Sequence, residues 1–469
     1  MPSRRAATLM RAAIRAVALL VALVPAVAAA ESGSRAATGR IALPLDGPGT
    51  FAGVGACAST QCHGAVGPRK ATSVLQNEYR TWMRRDPHRK AFASLGDERG
   101  RRMAAKLGIA SAEREPACLA CHASSVPAAQ RGAKYDATLE DGVTCEACHG
   151  PAGDEHGGWL ATHANPRSTG GSHADSLERG LYPLEDPVRR AELCLSCHLG
   201  DGRRFVTHRM MAAGHPRLGF ELEAFVRLQP AHFEVDADYR SRKNTPSAAR
   251  TWAVGQAVAA RDWLALLADP AHNHDGPWPE FALYDCYSCH QSMQYPPPPG
   301  QGGPVGFGVP RPADENLGLA AVATSVIDPG EGSRLADEMR GLRQAIGARR
   351  ETAEVALQAS RTVDAALPLL AGWSPSDAQT RVILERVAKL GDAAGSTYFR
   401  AEQRTLAAQA MVAALASDGG LSGGRLAEAQ RRLDGLFELT RTEPGFRPDA
   451  FRSELAGLGA AVATGGEGW

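Results

Sequence analysis

The stretch Gly142–Pro151, GVTCEACHGP, decides how this chain reads. It holds Cys145, Cys148 and His149: two thiols separated by two residues, with an imidazole directly after the second. That spacing suits two thioether bonds to the vinyl groups of one porphyrin. The adjacent imidazole then reaches the iron from one face, which is the attachment pattern of a c-type haem. One copy would be suggestive only. The string recurs as Cys118-Cys121-His122, Cys194-Cys197-His198 and Cys286-Cys289-His290, and in a wider form, with four residues between the thiols, as Cys57, Cys62 and His63.

All ten Cys of the 469 residues fall into these five pairs, each followed at once by His. A disulfide framework, the usual reading of a Cys-rich exported chain, therefore has no thiol to draw on. A four-thiolate zinc site accounts for paired Cys but not for a His after every second one. A thioredoxin-like redox motif fails for the same reason. The reading is five covalently bound haem c groups. They are attached at Cys57, Cys62, Cys118, Cys121, Cys145, Cys148, Cys194, Cys197, Cys286 and Cys289, with proximal ligands His63, His122, His149, His198 and His290.

Residues 1–30 read as a cleavable export signal: Arg4, Arg5, Arg11 and Arg15 precede the apolar run Ala16–Ala28 and the small residues Ala28–Ala30. The expected location is the periplasm. No later stretch is apolar and long enough to span a bilayer, so the mature chain is expected not to cross one. Removing those four Arg leaves 48 basic against 51 acidic residues, a net charge of −3. Each ferric haem adds two propionates and returns one positive charge, taking the total to about −8 with five. Nothing here points to nucleic acid; encounters with other redox proteins, cytochromes or a membrane quinone-linked complex, fit better.

The fold class expected is mainly α, with few or no strands. Residues 31–295 read as a pentahaem domain and 296–330 as a Pro/Gly-rich linker. Residues 331–469, without Cys or His, read as four to six helices broken at Gly372, Gly391 and Gly419-Gly420. Within the haem part, residues 74–95 are helical in pattern but interrupted at Pro87, and Glu221–Leu228 and Ala248–Ala268 are further helices. Aromatic residues are sparse, as expected where porphyrins fill much of the core.

Nine His remain for the opposite faces of the irons. A second imidazole gives a six-coordinate, low-spin haem suited to electron transfer, whereas an empty face can bind a small ligand. In residues 205–225, FVTHRMMAAGHPRLGFELEAF, His208 and His215 lie two helical turns apart. Gly214 and Pro216 predict a break that aims His215 elsewhere. Both are candidate distal ligands, as is His232. Met210 and Met211 read as packing. His272 and His274 sit in a polar loop as late ligands or solvated residues, and His163 and His173 read as exposed loop residues.

The order of motifs resembles the tetrahaem cytochrome c-554 family over roughly residues 51–200. The shared pattern is a haem string and then Trp82 six residues before His88. A second string follows, then the Gly-Val-x-Cys-Glu-x-Cys-His-Gly-Pro site trailed by His156, then a fourth string. The resemblance implies a mostly helical fold with closely packed haem pairs, and His88 and His156 as distal ligands to haems bound elsewhere. It also implies an open sixth position at Cys118–His122. The wider first string, the fifth site and the C-terminal helices depart from it.

The function expected is a periplasmic pentahaem electron carrier with mostly bis-His haems. One alternative is a haem enzyme acting on hydroxylamine, nitric oxide or nitrite at the Cys118–His122 site. The ammonia-forming nitrite reductases usually carry Lys in place of the motif His, and no Cys-x-x-Cys-Lys occurs here. Tyr239 carries no mark of the cross-linked Tyr of hydroxylamine oxidoreductases. A further alternative is a haem subunit of a larger membrane redox complex.

Overall fold

The computed structural model describes residues 40–67, 74–153, 158–164, 171–232, 235–242, 247–290, 309–348, 350–390 and 397–463; the expected export segment and His156 lie outside them. The described chain is mainly helical, and its one sheet is a hairpin pairing His274–Asp275 with Trp278–Pro279. No helix among the described residues is long and apolar enough to cross a membrane.

The first half is built of short helices: α1 (Glu78–Arg85), α2 (Glu98–Leu107), α3 (Pro116–His122), α4 (Cys145–His149), α5 (Trp159–Ala164), α6 (His173–Glu178), α7 (Pro187–His198), α8 (His208–Ala213), α9 (Leu222–Leu228) and α10 (Ala237–Arg242). The pattern over 74–95 resolves into α1 and two 3-10 turns, Pro87–Lys90 and Phe92–Leu95. Pro87 cannot continue α1, and Asp86 caps the new turn by accepting from the His88 N–H at 3.0 Å. Three haem strings form the last turn of a helix, so α3, α4 and α7 each end on the motif imidazole. Apolar packing around α2 and α3 is thin: Leu95, Ala104, Ala112, Leu119 and Ala123 form one small cluster. So little buried side-chain area leaves room for a large apolar group.

The second half packs differently. Helix α11 (Ala248–Ala268), capped by Ser247 accepting from the Arg250 N–H at 3.2 Å, is buried along nearly its whole length. It packs against α12 (Glu315–Ile327) and α14 (Ala353–Gly372), with α13 (Pro329–Gly347), α15 (Asp377–Lys389), α16 (Tyr398–Ser417), α17 (Gly423–Leu439) and α18 (Pro448–Val462) completing the bundle. One continuous core runs from Leu195 through Trp252 and Leu317 to Leu458.

Two corrections follow for the expected boundaries. Residues 315–327, expected within the linker, form a buried helix. ENLGLAAVATSVI is apolar on every side, so it lacks the one-faced pattern by which a surface helix is recognised. The haem part and the C-terminal helices also share a core, since α11 lies against both α7 and α14. The α12 junction is fastened by charge. Asp314 accepts from Arg343 Nε at 2.6 Å and Arg400 Nη2 at 3.0 Å, and Glu315 accepts from Arg404 Nε at 2.8 Å.

A second buried pair ties the amino-terminal segment to the second haem string. Arg204 donates to both Asp46 oxygens, at 2.8 and 2.7 Å, and to the Ala120 carbonyl at 3.2 Å. Burial pushes the Asp46 carboxyl up, but Arg204 and Arg203 outweigh it and hold it below its usual value. Arg204→Ala is expected to lower stability by about 1–2 kcal/mol, because it leaves the part-buried Asp46 carboxylate to Arg203 alone. The Asp46 contribution is complete above the ordinary carboxylate pKa of about 4 and is lost as pH falls through the lowered native value. Denaturation of wild type and variant at neutral and acid pH checks both statements: the gap should close in acid.

Candidate haem centres

The GVTCEACHGP stretch is held from three sides. Trp82 Nε1 donates to the Val143 carbonyl at 2.9 Å, and the Val143 N–H donates to the His88 carbonyl at 3.0 Å. Gly142 sits at φ 67°, and a Cβ there would stand 2.5 Å from the His88 carbonyl oxygen, so only Gly fits. Buried Glu146 accepts from the N–H groups of Ala52, Gly53 and Ala152 at 2.9, 2.8 and 2.7 Å, tying the third string to the approach to the first. The Trp82–His88 segment is thus the seat of the third string.

The thiols are free and, Cys289 apart, only partly exposed. Cys57 and Cys145 are near enough to influence each other's protonation, as are Cys121 and Cys197. The first string therefore adjoins the third, and the second adjoins the fourth.

The imidazoles carry the most telling geometry. Two imidazoles bound through Nε2 to opposite faces of one iron, at about 2 Å each, place their ring centroids about 6 Å apart. Four motif imidazoles face another His at this separation: His63 with His163 at 6.0 Å, His198 with His88 at 6.0 Å, His122 with His215 at 6.5 Å and His290 with His208 at 6.4 Å. The first pair is nearly parallel, at 9°, and the next two nearly perpendicular, at 88° and 89°.

The fifth motif imidazole, His149, is half-buried, and after burial the largest influence on its protonation is the charge of His232. The Nε2 of His232 is itself buried, without a hydrogen-bond partner among the described residues, and lies 3.7 Å from Asp86 Oδ2.

Hydrogen bonding fixes which nitrogen is free. His63 Nδ1 lies 2.8 Å from Glu78 Oε2, His88 Nδ1 2.9 Å from Asp86 Oδ1, His122 Nδ1 2.9 Å from the Ala91 carbonyl and His215 Nδ1 2.7 Å from the Pro216 carbonyl. Each acceptor holds the proton on Nδ1 and leaves the Nε2 lone pair for a metal. Burial first, and then a neighbouring imidazole (His232 for His149, His88 for His198), pulls both down to about 4, so both are neutral as a ligand must be. Asp86 is held well below the carboxylate range: burial opposes this, but the His232 and His88 imidazoles outweigh it. Paired thiols beside imidazoles that face each other, in a region with little core of its own, fit a covalently held haem.

The structure separates the His that the sequence left together. His163 is not in a loop. It lies on α5, beside the Trp159 ring at 5.7 Å, and faces His63. A Trp four residues before a His, one helical turn away, was the available signal. His173 is exposed and spends its Nε2 on Glu185 at 2.8 Å. His272 is bound to Asp269 at 2.8 Å and lies edge-on to Phe205. The break after α8 is as expected: Gly214, at φ 125°, turns His215 away from the α8 axis. His215 consequently faces His122, the site that the resemblance would leave open.

Residues 56–150, about a fifth of the chain, match the family cytochrome c554 and c-prime. No curated protein and no solved structure matches. The family match supports a c-type cytochrome with covalently bound haem, engaged in electron transfer.

Proposed function

We propose that this chain is a periplasmic electron carrier with five covalently bound haem c groups, each held between two imidazoles. The pairs are His63 with His163, His198 with His88, His122 with His215, His290 with His208, and His149 with His232. The observation that carries this reading is the separation of 6.0–6.5 Å between four motif imidazoles and four others brought in from distant sequence. Periplasmic placement rests on the amino-terminal signal pattern.

Bound haem supplies reversible one-electron storage on iron. The chain's part is to keep that storage fast and free of side reactions. Ten thiols anchor the groups, and acceptors at Nδ1 set the tautomer and orientation of four imidazoles. Imidazoles on both faces would leave such an iron no position to offer a substrate. The nearness of Cys57 to Cys145, and of Cys121 to Cys197, supports short paths between neighbouring groups. His215 opposite His122 supports the carrier reading over a nitrogen-oxide enzyme at that site.

Haem release as the alkaline pyridine complex should count five per chain. Electron paramagnetic resonance of the oxidised protein should show low-spin ferric haem only, in at least two classes, since parallel and perpendicular imidazole pairs differ. A high-spin signal that responds to nitric oxide or hydroxylamine would overturn the carrier reading.

A further inference from the structure

Charge is unevenly distributed. Residues 80–106 hold nine Lys and Arg against three Asp and Glu, a net +6 in a chain expected to be −3 after export. Arg99, Arg101, Arg102 and Lys106 of this stretch lie exposed on α2. Arg102 is paired with Glu98, while Arg99 and Lys106 have no ion pair among the described residues.

Helix α2 packs beside α8, and Arg209 of α8 reaches the Leu107 carbonyl at 3.4 Å, adding another exposed cation. Between them lies an open cleft of about 480 Å³ lined by Arg99, Arg102, Met103 and Lys106 on one side and Ala213, Gly214 and Pro216 on the other. His215 lies between the last two in sequence and faces His122. The basic cleft therefore opens beside one imidazole of the second haem centre.

We propose that this cleft is the docking face for an acidic redox protein, and that the second haem centre is where its electron enters or leaves. The proposal rests on the carrier reading and specifies its partner by charge. The cations are long, exposed side chains rather than a buried constellation, an arrangement that steers a charged macromolecule more than it grips a small ion. Met103 and Pro216 supply the apolar floor on which such an encounter complex settles.

The test uses the full haem-loaded protein and pre-reduced plant-type ferredoxin, an acidic one-electron donor, in stopped flow. The second-order rate constant should fall about tenfold or more from low to high ionic strength. The variant R99E/R102E/K106E should lose about tenfold at low salt and lose the salt dependence; R99Q/R102Q/K106Q should fall between. A basic cytochrome c as donor should show none of this preference. Rapid reduction that salt and both variants leave unchanged overturns the docking face. So does a change confined to the spectrum or potential of one haem, which would assign these cations to the propionates. The carrier reading is judged separately by haem count and spin state, so the two can fail independently.

Discussion

Replacing His163 by Ala is expected to turn one haem, that of the first string, from low-spin to high-spin in the ferric state and to let it bind carbon monoxide once reduced, with haem content unchanged. The ring of His163 lies 6.0 Å from that of His63 and 9° from parallel to it. On the opposite side His63 is held by Glu78, so it stays in place when its counterpart goes. The covalent anchors, Cys57 and Cys62, are untouched, which is why coordination should change without loss of the group. His173→Ala is the control, because that imidazole spends its Nε2 on Glu185. Wild-type spectra from the His163 variant, or a new high-spin signal from the His173 variant, would reverse the assignment. His88→Ala should reproduce the effect at the fourth string, where His88 faces His198.

His163 also shows where sequence reading stops. The five strings are legible because attachment chemistry fixes their spacing along the chain. The interruption at Pro87 and the turn at Gly214 are legible because both act on local backbone. Distal imidazoles obey no such rule. His163 meets His63 across 100 residues and His208 meets His290 across 82, so only tertiary packing says which imidazoles are brought together. His163 and His173 look alike among Gly, Asn and Ser, yet one lies beside Trp159 and the other beside Glu185. Helix α12 was hidden in a different way: composition carried the Pro/Gly-rich reading past Asp314 into a segment whose uniform apolarity marks burial. The Asp314–Arg343–Arg400 cluster that fastens it joins three distant segments and leaves no local trace.

Arg217→Ala is expected to open the second haem centre from a distance of two residues. Residues 214–221 form a strap that carries His215 towards His122 and Phe220 against His198, whose ring is 4.4 Å away. Helix α16 holds the strap from behind. Arg217 Nη2 donates to Glu402 Oε2 at 2.7 Å and stacks over the Phe399 ring at 5.0 Å, and Gln403 Nε2 donates to the Phe220 carbonyl at 3.5 Å. A half-exposed ion pair and a cation–π contact together contribute about 1–2 kcal/mol. Losing about 1.4 kcal/mol raises the population with His215 withdrawn about tenfold. Carbon monoxide association with the reduced protein, gated by that withdrawal, should therefore quicken about tenfold at one haem. Arg217→Lys should restore part of the loss, since it keeps the charge but not the planar stacking. Deleting the chain beyond residue 310 is a poorer probe, because it strips the buried face of α11. An Arg217→Ala protein as slow as wild type would mean that the C-terminal helices only stabilise the fold; a tenfold gain gives them a part in holding an iron ligand.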